Sequence, residues 1–186
     1  MVRPDEKYRE TFLKAMQEFQ DEGLSWWSGG DLENAEQDFA GFAAMKRDHS
    51  FLGSQTGIPK THLWAIANEN FVGRIAIFHS LNDELLISGG HIGYDTVPSF
   101  RGRGIATEML RQALPAAKSL GLKEVLLTCD DTNAASIRTI EKNGGVLRET
   151  KKLDKNGPLK RYYWIDLLPS PMHTPARKAL EREPQK

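Results

Sequence analysis

The eleven residues Val97-Pro98-Ser99-Phe100-Arg101-Gly102-Arg103-Gly104-Ile105-Ala106-Thr107 constrain the fold more than any other stretch of the chain. An apolar strand pattern ends there, a glycine-rich turn follows, and an amphipathic run begins with Ile105, Met109, Ala113, Ala117 and Leu120 at helical spacing. Lys123 to Cys129 is again short and mostly apolar, so the order is strand, helix, strand, which predicts a parallel strand pair joined by a crossover. The first turn of a helix has backbone N–H groups without intrahelical partners and sits at the positive end of the helix dipole, so it attracts an anion. Gly102 and Gly104 let the backbone approach a ligand and adopt positive φ, while Arg101 and Arg103 offer donors matched to phosphate oxygens. The plain alternative is an ordinary strand-to-helix turn with glycines that serve packing and arginines that are merely solvated.

Tyr8, Phe12, Met16 and Phe19 predict a first helix, ended by Gly23. A second helical run follows Gly29-Gly30, with Asp31 at its N-cap and Leu32, Ala35, Phe39 and Phe42 on one face. Between the two lies a loop bearing Trp26 and Trp27. After a connection at 53–59 the pattern turns to strands: Leu63 to Ala67, a hairpin turn at Asn68-Glu69-Asn70, Phe71 to Phe78, a turn at Leu81 to Glu84, and a strand from His91 to Val97. Pro115 inside the long helix predicts a kink or break near 111–115. Asp130, Asp131 and Thr132 are cap candidates for a helix reaching about Lys142. Strands from Val146 to Lys151 and Leu159 to Leu167 close the order, with a turn at 155–158. Residues 1–168 read as one domain and 169–186, with four prolines, as a polar tail.

Lysines and arginines balance aspartates and glutamates at 25 each, which removes the broad basic surface of a nucleic-acid binder, so any anion site is local. There is no apolar stretch long enough for a membrane span, the N-terminus lacks a signal-type apolar segment, and a cytoplasmic protein is the expectation. The five histidines have no metal-site spacing, so no metal is expected. The one cysteine, Cys129, excludes an intramolecular disulfide and reads as a buried strand-end residue rather than a nucleophile. No Lys-Ser or Lys-Thr follows the second glycine of the turn, so it is not a P-loop.

The order of elements, together with two motifs, resembles the GNAT superfamily of acyl-CoA N-acyltransferases. Arg101-Gly102-Arg103-Gly104-Ile105-Ala106 is similar to the family's pyrophosphate pattern, and Asn133 to Ser136 followed by Glu141-Lys142-Asn143-Gly144-Gly145 is similar to its second block. The resemblance implies an α/β (α+β) fold with a mixed, largely antiparallel sheet, splayed at its centre and carrying helices on both faces. It divides the domain into a variable helical acceptor-side part, residues 1–60, and an acyl-CoA-binding core, residues 61–167. Acetyl-CoA is the implied cosubstrate, its pyrophosphate on the backbone of residues 102–107 beside Arg101, its pantetheine arm along Thr96 and Val97, with Asn133 and Ser136 lining the site. A main-chain N–H near Tyr94 to Val97 would polarise the thioester.

Direct attack by a primary amine, of a small molecule or a peptide, needs a base. His91 is the first candidate, and Asp95, on the same face by strand alternation, the second. Many relatives place a tyrosine seven residues after the conserved Asn to protonate the thiolate; here that position is Ile140, leaving Tyr94, Cys129 or water. The absent tyrosine keeps a second reading open, a module that binds or senses acyl-CoA without turning it over. An NAD-binding protein is disfavoured because the glycine-rich turn follows antiparallel strands. Acceptor identity and oligomeric state stay open, a homodimer among the alternatives.

Overall fold

The computed structural model describes residues 1–23, 31–48, 57–155 and 157–168. The Trp26-Trp27 loop, most of the 53–59 connection and the tail lie outside the described residues. Helix α1 (Arg9–Asp21) buries Phe12, Met16 and Phe19 as the periodicity predicts, and Gly23 follows it with φ of 72°. Two short helices stand where one is predicted: α2 (Asp31–Gln37) and α3 (Phe39–Arg47). The break is at Asp38, whose non-helical backbone and side chain, accepting the Gly41 N–H at 2.9 Å, start a new helix instead of continuing the old one.

The first sheet is antiparallel, ordered β1 (Lys60–Ala67), β2 (Asn70–Phe78), β3 (Ile92–Thr96). Asn68 and Glu69 both take positive φ, 47° and 63°, which suits the twist of a two-residue hairpin. The turn predicted at Leu81 to Glu84 contains instead the start of α4 (Asp83–Ile87), because Asn82 accepts the Leu85 N–H at 2.9 Å and Leu85 is buried. Helix α5 (Ile105–Ser119) runs through Pro115 without the predicted break. Pro115 and Arg111, whose carbonyl loses its partner, are both exposed, so water can satisfy that group. Then come β4 (Glu124–Asp130), α6 (Ala134–Lys142), β5 (Val146–Lys152) and β6 (Leu159–Asp166). The second sheet is antiparallel too, ordered β4-β6-β5.

The predicted parallel pairing of β3 with β4 does not form. The two sheets meet in an isolated bridge between Gly90 and Leu127, where the His91 N–H donates to the Leu126 carbonyl at 2.7 Å. Beyond that joint no ladder connects the two strands. Two cores form because neighbouring residues of a strand face opposite ways. Phe71 joins Phe12, Phe39, Phe42 and Trp64 beneath α1 to α3, with Phe12 stacked on Trp64 at 4.9 Å. Val72 joins Met109, Leu110, Leu127 and Tyr163 between α5 and the sheets. Helices therefore cover both faces of the first sheet.

Candidate active site

The turn into α5 has the geometry its glycines allow. Gly102 and Gly104 take φ of 75° and 78°, Gly104 is the N-cap, and a Cβ on either would meet nothing within 4 Å. Space is therefore not what these positions reserve; backbone conformation is. The N–H groups of Gly104, Ile105, Ala106 and Thr107 have no acceptor among the described residues, and all four residues line a cavity of about 600 Å³.

The other wall of this cavity comes from β3. The Val97 N–H donates to the Val72 carbonyl at 3.0 Å and the Val97 side chain is buried with Phe12 and Phe71 in the core beneath α1 to α3, so Val97 is turned away from the cavity. Hydrogen-bonded and non-bonded pairs alternate in an antiparallel ladder, so Thr96 opposite Gly73 and Tyr94 opposite Ile75 are the non-bonded pairs. Their N–H and C=O groups point from β2 toward the gap between the sheets. Thr96 Oγ1 is buried without a hydrogen-bond partner among the described residues.

Tyr94 and Ser136 meet across the gap, hydroxyl to hydroxyl at 2.9 Å. Burial, opposed by that bond, pushes the Tyr94 phenol up to about 12. On their far side lies a second cavity of about 490 Å³, with Gly93, Leu127, Ile140 and Lys160 in its wall. Asp95 faces the first cavity and accepts from Arg74 Nε at 2.8 Å, both side chains being 22% exposed. Burial raises the Asp95 carboxyl above the usual range, and the Arg74 charge pulls against it.

Arg101 lies on the wall, its Nη1 bonded to Glu22 at 2.8 Å and its Nε to the Thr96 carbonyl at 3.2 Å. Arg103 does not line this cavity; it lies over Phe100 and donates to the Ser99 carbonyl at 3.0 Å, bracing the turn. Asn133 is on the wall and is also the N-cap of α6, accepting the Ser136 N–H at 3.0 Å, the capping part that its residue type equally suits. Glu22, Arg138, Thr139 and Lys142 line the cavity as well and were not among the sequence candidates. For the last three the readable signal is helical spacing from Ala135, which puts them on one side of α6.

His91 is not on the cavity wall. It is buried at the joint between the sheets, its Nδ1 accepts the Leu126 N–H at 2.9 Å, and its ring stands edge-on to Trp164. Burial lowers its pKa, against the raising effect of Glu124. Cys129 is buried, and burial raises its thiol. Ile140 is 1% exposed and packs in the core.

Two antiparallel sheets parted around a helix N-terminus, with four N–H donors unpaired among the described residues, define an α/β fold with an open gap between its sheets. A sequence profile of the acetyltransferase (GNAT) domain matches residues 4–146, and the chain belongs to that family, one of acyltransferases. Among solved structures it is similar to a microcin C7 self-immunity acetyltransferase, MccE, in complex with acetyl-CoA and AMP, at 16% identity over 88% of this chain and 89% of that one, with a TM-score of 0.62. It is also similar to the acetyltransferase-like yncA of Salmonella typhimurium with its cofactor acetyl-CoA, at 18% identity over 70% and 74% of the two chains, with a TM-score of 0.51. Both likenesses are of fold. No curated protein matches the sequence. Among the described residues, no helix is long and apolar enough to cross a membrane.

Proposed function

We propose that the protein transfers an acetyl group from acetyl-CoA to a primary amine by direct attack. The observation that carries the reading is the row of four unpaired N–H groups from Gly104 to Thr107 on the cavity wall, which suits a diphosphate. Gly102 gives the turn its shape, Arg101 supplies a charge beside it, and Arg103 holds it from behind. The outward main-chain groups of Thr96 and Tyr94 suit the amides of a pantetheine arm, and one of these N–H groups is placed to polarise a thioester carbonyl. Asn133 and Ser136 complete the wall.

In the transfer a C–N bond forms, the C–S bond breaks, and the amine gives up a proton. Asp95 is the proton acceptor in this reading, since it faces the cavity and burial raises its affinity for a proton, whereas the Nδ1 lone pair of His91 is committed to Leu126. Tyr94 is the group that meets the departing thiolate. A phenol held at about 12 keeps its proton at neutral pH and donates a hydrogen bond to developing negative charge. It does so from β3, across the gap from the helix position that Ile140 fills.

Mixing the protein with acetyl-CoA and a panel of amines, and following free thiol, tests the reading; no saturable CoA binding defeats it. Tyr94→Phe is expected to lower kcat about 10- to 100-fold with a small change in the KM for acetyl-CoA. Tight CoA binding with no thiol release to any acceptor favours instead the non-catalytic module to which Ile140 points.

A further inference from the structure

We propose that the second cavity, beyond the contact of Tyr94 with Ser136, is an acyl pocket, and that it makes the protein prefer a neutral acyl chain longer than acetyl. This rests on the acyl-CoA reading above. The two cavities adjoin at one place: Tyr94 and Ser136 line both, and their hydroxyls stand 2.9 Å apart between them. The row of N–H groups from Gly104 to Thr107 lies on the wall of the first cavity alone. A pantetheine arm that starts there and pairs with Thr96 and then Tyr94 travels along β3 toward Gly93 and Ile92. A sulfur that meets the Tyr94 hydroxyl therefore sits at the boundary. The acyl group, attached to that sulfur and further from the diphosphate, falls in the second cavity.

That cavity, at about 490 Å³, has the size of pockets that take whole small molecules, far more room than the two carbons of an acetyl group need. Its inner wall is aliphatic, made by the buried side chains of Ile92, Leu127 and Ile140, the last standing where many relatives place a phenol. Lys160, the one cation among its described lining residues, is paired with Asp130, and the Thr128 hydroxyl accepts the Gly89 N–H at 2.9 Å. An aliphatic wall beside a cation that already has its anion suits a hydrocarbon chain better than a carboxylate-terminated one. Gly93 gives the room a second determinant. A Cβ there would meet nothing within 4 Å and its φ is not positive, so neither packing nor backbone conformation calls for glycine. A glycine inside a strand weakens it, and what this one provides in return is space beside the gap.

The test measures dissociation constants of CoA, acetyl-CoA, butyryl-CoA and succinyl-CoA for the full chain and for Gly93→Leu. The unmodified protein is expected to bind butyryl-CoA about tenfold tighter than acetyl-CoA, the scale of two further buried methylenes. Gly93→Leu places a side chain in the pocket and should erase that preference, with Gly93→Ala intermediate; thermal melts establish that both are folded. Equal or weaker binding of butyryl-CoA by the unmodified protein overturns the acyl pocket, whether or not the variants fold. Tighter binding of succinyl-CoA than of butyryl-CoA overturns the preference for a neutral chain. With an amine that releases thiol, a Gly93→Leu protein that raises the KM for the amine and keeps the ranking of acyl donors also overturns the proposal, because the cavity would then hold the acceptor. Failure of CoA and of every thioester to bind defeats the acyl-CoA reading itself.

Discussion

The two ends of β3 are built on opposite terms. At its start, Gly90 and His91 fasten the first sheet to the second: a Cβ on Gly90 would overlap the Leu126 carbonyl, the His91 N–H donates to that same carbonyl, and the imidazole accepts the Leu126 N–H. At its other end, Tyr94 and Thr96 turn their main-chain groups into a gap, and the next helix begins with four donors unspent. Hydrogen bonds satisfied at the joint are withheld at the mouth, apart from the one the Thr96 carbonyl accepts from Arg101. A strand whose first half is overdetermined can keep its second half open without the sheets collapsing onto each other, and a binding cleft depends on that.

The joint should therefore break the fold, and the mouth only the binding. The largest effect belongs to Gly90→Val. It adds a β-branched side chain at φ of 76° and drives atoms into the Leu126 backbone, so a loss of about 3–5 kcal/mol is expected in chemical denaturation. A variant as stable as the parent would show that the joint does not hold the sheets.

His91→Ala comes next, at about 2–4 kcal/mol, because it empties a buried site and orphans the Leu126 N–H. The same bond gives a pH signature. The folded pKa of His91 lies below its ordinary 6.5, chiefly through burial, so folding favours the neutral ring. Its contribution is complete above about pH 6.5 and is lost as pH falls through the folded pKa, where a protonated Nδ1 can no longer accept. Melting temperatures across that window should fall in the parent and fall less in His91→Asn. If His91 instead served as the general base, His91→Asn would abolish turnover while leaving the melt profile unchanged.

The same contrast explains what could be read from the sequence. At the mouth, function resides in backbone conformation, and backbone conformation leaves a mark in residue type: two glycines two apart after a strand pattern, then an amphipathic run. The helix stripes of α1 and α5 and the Asn68-Glu69 hairpin were legible for the same local reason. At the joint, the role of His91 depends on Leu126, 35 residues away, and nothing local separates a histidine that accepts a buried N–H from one that takes a substrate proton. The absence of a β3–β4 ladder is equally non-local, since strand, helix and strand in that order normally predicts a parallel pair. Asp38 hid a helix break because the stripe of Ala35, Phe39 and Phe42 continues across it. Arg101 and Arg103 look alike in the motif and are separated only by which side of the turn each occupies.

Gly104→Ala probes the mouth. Its Cβ would meet no atom, so the cost is conformational, about 1–2 kcal/mol for an L-residue held at φ of 78°. Relief of that strain would turn the N–H groups away from a shared anion, so CoA affinity should drop about tenfold while the fold survives. A loss of stability with CoA affinity intact would mean that the glycine serves only the chain.

The smallest effect has the opposite sign. Glu22, at the end of α1, holds Arg101 at 2.8 Å, and Glu18 one turn earlier accepts from the N–H and hydroxyl of Ser99 at 3.0 and 3.1 Å. The acidic end of α1 thus occupies, on the protein's own side, the charge that Arg101 would offer a diphosphate. The pair is roughly half exposed, at 45% and 40%, so its worth is well under about 1 kcal/mol. Glu22→Gln removes the competing carboxylate and leaves Arg101 on the cavity wall with its bond to the Thr96 carbonyl. CoA should then bind about two- to threefold tighter at low salt, and the gain should vanish at high salt as screening takes over. Weaker binding in Glu22→Gln would mean that the ion pair aims Arg101 at the ligand rather than competing for it, and the mouth, like the joint, would owe its form to a side chain distant in sequence.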